Sequence, residues 1–284
     1  MPRDSQYIEN LRQLAAEAYE LSGRLCGTCR DQHALWPYLR LSRASAGVES
    51  PGSKLEAQLG ELFSRGLHNV LIAGAQDTGV LALVARAGAE HVLNIVVLDL
   101  CETPLELCRR FAKQWSLPIE TVRQDLFQLD FERRFDVVLV HGTLNFISAD
   151  RQPESLVRMQ RAIRPGGRLV LMFNTSRPVA TEIATETHAD YADSILGELK
   201  RLNVPLPDTE AIMRDRLNAR AHRRELRDRA FAEPRDLELL LNGAGFDIIS
   251  CARVDAELAR PMDALLAKFS KQRFMAIAEP KFTA

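Results

Sequence analysis

The chain has 284 residues, 46% of them hydrophobic, which is enough to bury one large α/β core with a small accessory element. Its 37 basic side chains against 38 acidic ones leave a net charge of −1. No basic field therefore steers it toward nucleic acid or an anionic membrane surface, and a small-molecule substrate is the expectation. No charged and apolar leader opens the chain, and no apolar run approaches the roughly 20 residues of a membrane helix, so a cytoplasmic protein without a membrane partner is expected.

In chain order, residues 1–54 read as an N-terminal helical cap, with Ile8, Leu11, Leu14, Ala15, Ala18 and Leu21 recurring near a 3.6-residue period up to the loop Ser50-Pro51-Gly52-Ser53. Residues 55–284 read as the main domain. A helix over 55–65 leads into a strand at 70–73, and helices at 78–88, 104–115 and 153–163 then alternate with strands at 93–99, 120–123, 136–141 and 168–173. Such alternation predicts a Rossmann-like, seven-stranded and mostly parallel sheet with helices on both faces. Thr103-Pro104-Leu105-Glu106 has the form of a capping box with proline at the first helical position, placing that helix start near Pro104. Between 174 and 233 the apolar runs thin out, and a helical lid or substrate-gating insertion is expected. A helix over 235–243 and two antiparallel closing strands, 246–251 and 274–278, complete the reading.

The most informative stretch is Val70 to Gly79, an apolar strand running into a glycine-bearing turn and then a helix, followed by Val96-Val97-Leu98-Asp99 at the end of the next strand. A βαβ unit binds a nucleoside in this way, the turn bringing backbone N–H groups close and the acid holding a ribose diol. A dinucleotide fold is the rival, but the loop lacks Gly-x-Gly-x-x-Gly. The five cysteines (Cys26, Cys29, Cys101, Cys108, Cys251) are scattered and odd in number, which points to reduced thiols. Cys26-Gly-Thr-Cys29 with His33 suggests zinc, but no second Cys-x-x-Cys or His pair supplies the remaining ligands, so no metal is expected.

Over roughly residues 55–280 the chain resembles the class I S-adenosylmethionine-dependent methyltransferases. The resemblance rests on the order of Leu71-Ile-Ala-Gly74, Asp99, Gln124-Asp125-Leu126, Phe135-Asp-Val-Val-Leu-Val-His141 and Ile163-Arg-Pro-Gly-Gly-Arg-Leu-Val-Leu171. It implies S-adenosylmethionine as cofactor, with Gly74, Ala75, Gln76 and Asp77 in the first loop, Asp99 on the ribose and Leu100 on adenine. It further implies Asp125 accepting from the adenine amino group with Leu126 alongside, and His141 and Gly142 lining the cofactor. Residue chemistry leaves alternatives open: Asp125 as a turn cap, His141 as a packed strand end, and Asp77 as helix cap or ammonium ligand. The first loop departs from the family pattern, lacking the acid at the end of the first strand and the middle glycine. The cofactor carboxylate then needs a cation, for which Arg40, Arg43 and Lys54 stand by position.

On the substrate side, methyl transfer from a sulfonium depends on alignment and desolvation. Asn145 and Tyr191 are the candidates for orienting the reacting groups, and Trp36, Tyr38 and Phe146 for a sulfonium pocket, with cap packing as the other reading of Trp36 and Tyr38. His188 lies in the insertion as a further candidate. No Asn/Asp-Pro-Pro-Tyr/Phe motif or Pro-Cys pair points to a nucleobase, and the seven arginines of 214–229 interleave with acids as in a solvated helix. Three functions follow as expectations: a small-molecule methyltransferase of specialised metabolism; a cyclase or lyase resembling azetidine-2-carboxylate synthases, releasing methylthioadenosine by intramolecular displacement; and a non-catalytic cofactor binder. A homodimer is left open.

Overall fold

The computed structural model describes residues 2–44, 52–176, 184–225, 231, 233–254 and 271–282. Helices α1 (Pro2–Leu25) and α2 (Arg30–Leu41) form the N-terminal hairpin, and α3 (Gly52–Ser64) precedes the sheet. There follow β1 (Asn69–Ala73), α4 (Gly79–Ala87), β2 (Asn94–Asp99), α5 (Glu102–Gln114), β3 (Ile119–Arg123), β4 (Phe135–His141), α6 (Gln152–Ala162) and β5 (Ile163–Ser176). Helices α7 (Ala184–Arg201), α8 (Glu210–Glu225) and α9 (Pro234–Gly243) and strands β6 (Phe246–Arg253) and β7 (Lys271–Pro280) complete the described chain.

The seven strands lie in the order β3-β2-β1-β4-β5-β7-β6. The first five are parallel, and β7 runs antiparallel between β5 and β6, as the two closing apolar runs foretold. Alternation along β1 shows how the sheet is held. Leu71 and Ala73 enter a core with α6 and α9, while Val70 and Ile72 face α3, α4 and α5. Both faces are covered, so β1 and β4 are apolar nearly throughout and are buried. At the amino ends of these strands the buried Asp136 carboxylate accepts from the backbone N–H groups of His68 and Asn69 at 3.0 and 2.8 Å, which joins β4 to the entry of β1.

The cap and the insertion share a third core. Leu11, Ala15, Leu35, Tyr38 and Leu39 of α1 and α2 pack with Ile195 and Leu199 of α7 and Met213 and Leu217 of α8. A smaller contact, Ala18 and Leu21 against Leu107, seats α1 on α5. The loop expected at 50–53 and the segment joining β5 to α7 lie largely outside the described residues.

One boundary is corrected. Helix α5 begins at Glu102 with Cys101 as its N-cap in extended conformation, not at Pro104, and Thr103 is buried in its first turn. The Asp99 carboxylate accepts from the Cys101 N–H at 2.7 Å and so turns the chain into the helix two residues early, which the capping-box pattern does not register.

Phe173 of β5 stacks on Phe274 of β7 and meets Phe231 edge-on, each at 5.5 Å, with only 1% of its surface exposed. Phe173→Ala is expected to cost about 3–5 kcal/mol of stability, read from the urea midpoint at unchanged slope.

Candidate cofactor site

The sheet order reverses at β1, whose neighbours β2 and β4 lead to opposite sides, so a crevice opens at the carboxyl ends of these three strands. Asp99 stands at the end of β2 and reaches across it. One carboxylate oxygen accepts from the Ala75 N–H at 2.8 Å and the other from the Cys101 N–H at 2.7 Å. Burial pushes the Asp99 carboxyl upward, and those two backbone donors oppose the shift by favouring the anion. Each oxygen keeps a further lone pair, so the acid can accept more hydrogen bonds while holding both loops. Leu100, 65% exposed, follows directly as an apolar face on the rim.

The first loop owes its form to close packing. Gly74 has φ +91°, and a Cβ there would fall 2.4 Å from the Thr143 hydroxyl oxygen, which itself donates to the Ala73 carbonyl at 2.9 Å. Glycine thus lets the ends of β1 and β4 meet. Ala75 is buried, and the Gln76 side-chain oxygen is buried without a hydrogen-bond partner among the described residues.

Asp77 answers its two readings. One oxygen accepts from the Gly79 N–H at 2.8 Å, capping α4, and the other pairs with Arg40 of α2, both side chains being 5% exposed. Cap and ion pair thus each engage one oxygen of this carboxylate. Arg40 is thereby brought to the first loop, whereas Arg43 and Lys54 lie exposed.

The other expected positions divide. Asp125 accepts from the Phe127 N–H at 3.1 Å, the turn-cap geometry, and Leu126 is buried in the core. His141 ends β4 beside Met172, and Gly142 turns away with φ +74° while its N–H donates to the Met172 carbonyl at 2.9 Å. Asn145, on the short turn after β4, donates to the Asn174 carbonyl at 3.4 Å, and its side-chain oxygen is buried without a partner among the described residues. Phe146 beside it is 46% exposed. Tyr38 is buried edge-on to Tyr19, and Trp36 and Tyr191 pack against the same cap–insertion core. These three aromatics belong to one helical interface, which assigns Tyr38 to packing. The side chain of His188 lies outside the described residues.

A second group lies beside Asp99 that the sequence reading set aside. Cys26 and Cys29, in the turn between α1 and α2, face Cys101, with sulfur separations of 3.4 and 3.5 Å, and His33 completes a quartet whose ligand atoms all lie within 4.8 Å of one another. The expectation of no metal rested on the missing fourth ligand. Cys101, remote in sequence, supplies it, and the folding of the cap onto α5 is the reason. A third cysteine two residues beyond Asp99 was the available signal. Burial disfavours the His33 imidazolium, yet the Cys101 and Cys29 sulfurs outweigh it and raise His33 to about 10. Cys101 is drawn down, first by the hydrogen bond from Cys26 and, against burial, by His33, while that same bond raises Cys26.

Comparison with known proteins agrees with this architecture. A family profile described as "Methyltransferase domain" matches residues 74–171, the span from the first loop to β5. A carboxy-S-adenosyl-L-methionine synthase of Pseudomonas putida is 28% identical over 159 residues, covering 49% of this chain and 64% of that protein. Its namesake in Ectopseudomonas mendocina is 31% identical over the same shares. Among solved structures, the 1,6-didemethyltoxoflavin-N1-methyltransferase of Burkholderia thailandensis superposes with a TM-score of 0.52 at 20% identity, covering 88% of this chain and 91% of that one. The matched span is thus similar to the class I S-adenosylmethionine-dependent methyltransferase superfamily, and the seven-stranded, mostly parallel sheet has its Rossmann-like fold. The chain spans just under two thirds of the length of these curated relatives. No helix among the described residues is long and apolar enough to cross a membrane.

The buried Arg40–Asp77 pair is testable as the bond between cap and first loop. Arg40→Ala strands a buried carboxylate and is expected to cost about 3–5 kcal/mol in chemical denaturation, while the volume-matched double variant Arg40→Met/Asp77→Leu loses much less. Equal losses would show that the pair does not hold the two together.

Proposed function

We propose that the chain binds S-adenosylmethionine at the carboxyl ends of β1, β2 and β4 and transfers its methyl group to a small molecule. The observation that carries this is the placement of Asp99. A carboxylate held by two backbone donors at the switch point of the sheet, with lone pairs to spare and an exposed leucine next to it, suits a ribose diol with adenine lying on Leu100. The superfamily and the small-molecule methyltransferase among its structural relatives support the reading.

Arg40, brought to the first loop by Asp77, is the cation proposed to face the cofactor carboxylate. Asp125, though engaged as a turn cap, keeps acceptor capacity for an adenine amino group, and His141 and Gly142 border the crevice on the β4 side. Asn145, with a buried oxygen lacking a partner, is proposed to orient the acceptor or the sulfonium. Helices α1, α2, α7 and α8, sharing one core, act in this reading as a single cover over the crevice that excludes water. In-line transfer then needs alignment more than a strong base.

A second reading keeps the cofactor itself as the substrate. The curated relatives are named for making a modified S-adenosylmethionine, and the irregular first loop permits a different seat for the methionine tail. Intramolecular displacement by the cofactor's own amine would release methylthioadenosine.

The two are separated by mass spectrometry of protein incubated with S-adenosylmethionine alone and then with a small-metabolite extract, Asp99→Ala serving as control. S-adenosylhomocysteine forming only with extract, and at least tenfold slower with Asp99→Ala, is the expected result. Methylthioadenosine from the cofactor alone would replace methyl transfer by cyclisation, and an undiminished Asp99→Ala rate would remove Asp99 from the site.

A further inference from the structure

We propose that Cys26, Cys29, His33 and Cys101 bind one zinc ion, forming a structural site that fastens the N-terminal cap to the loop carrying Asp99. The four ligand atoms lie within 4.8 Å of one another, with the Cys26 and Cys29 sulfurs 3.4 and 3.5 Å from that of Cys101. Zinc with thiolates at about 2.3 Å and an imidazole nitrogen at about 2.0 Å sets tetrahedral edges of roughly 3.5–3.8 Å, so the two sulfur pairs already stand near that spacing and the widest separation closes by about 1 Å when an ion enters. Cysteines separated by two residues in a turn, followed by a histidine on the next helix and closed by one distant cysteine, form a complete Cys3His set.

The surroundings fit a closed metal centre. The His33 Nδ1 faces the Gln76 carbonyl at 3.4 Å, and with the proton on that nitrogen Nε2 presents its lone pair to the sulfurs. The Thr103 hydroxyl lies 3.0 Å from the Cys26 sulfur, and Cys101 stands at the N-cap of α5. His33 and Cys101 are each 7% exposed. Three soft sulfurs and an imidazole select zinc over magnesium or calcium, and the tight cage suits a single ion better than an iron–sulfur cluster. A disulfide would join only two of the three cysteines at about 2.05 Å and leave the third and His33 without a role.

The ion would join two regions that the main chain separates. Its ligands span the α1–α2 turn and the N-cap of α5, and Cys101 also donates its backbone N–H to Asp99. Metal loss should therefore loosen the cap and the Asp99 loop together. The proposal does not depend on which reaction the chain catalyses.

The test is metal analysis of the full-length protein, purified without chelator from zinc-supplemented cells. About one zinc per chain is expected. Cys101→Ser and His33→Ala should fall at least fivefold in zinc content while Cys251→Ser keeps it, circular dichroism reporting the fold of each. Because a ligand variant can fail to fold, a second measurement uses the unaltered protein: Cys26, Cys29 and Cys101 should resist alkylation until a chelator removes the metal. Zinc below one tenth of an equivalent, zinc retained by both ligand variants, a Cys101 disulfide in the isolated protein, or equal alkylation with and without chelator would each overturn the proposal.

Discussion

The Asp99 carboxylate is the constraint on which the crevice depends. Two strands of a parallel sheet end side by side with their last N–H groups pointing into loops, and a single acid captures one donor from each, Ala75 after β1 and Cys101 after β2. Charge-assisted hydrogen bonds of this kind are about twice as strong as neutral ones, and in a largely buried setting they fix both turns at once. The early start of α5, the position of Cys101 beside the cap and the exposure of Leu100 all follow from that one geometry.

A second constraint acts where the cap meets the first loop. The chain has no acid at the end of β1 and no glycine between Gly74 and Gly79 in the first loop, and the structure shows which neighbours shape that loop. Thr143 fills the space against Gly74, and Asp77 turns inward to cap α4 and receive Arg40. The loop is thus shaped by neighbours from β4 and α2. The cap then continues into the insertion through one apolar core, so α1, α2, α7 and α8 form one body.

The sheet was readable because its strands are short apolar runs between glycine-bearing turns, and burial on both faces leaves such runs little alternative. β1, β2 and β4 accordingly fall within a residue of where their apolar runs place them. The place of Asp99 at the end of β2 was readable for the same reason, being a charged residue at the end of such a run. Pairings between distant segments were not. Arg40 with Asp77, Thr143 with Gly74 and Cys101 with Cys26, Cys29 and His33 each join residues that no local period relates. Tyr38 and Tyr191 show the converse: an aromatic residue has the same local signature whether it lines a pocket or fills a helical interface, and only packing separates the two.

The most direct measurement of the central claim is a crystal structure of the full chain with S-adenosylhomocysteine. The ribose hydroxyls should lie within hydrogen-bond distance of Asp99, adenine on Leu100, and the amino-acid tail between the Gly74 loop and Arg40. A ligand seated elsewhere, or a ribose that makes no contact with Asp99, would contradict the account.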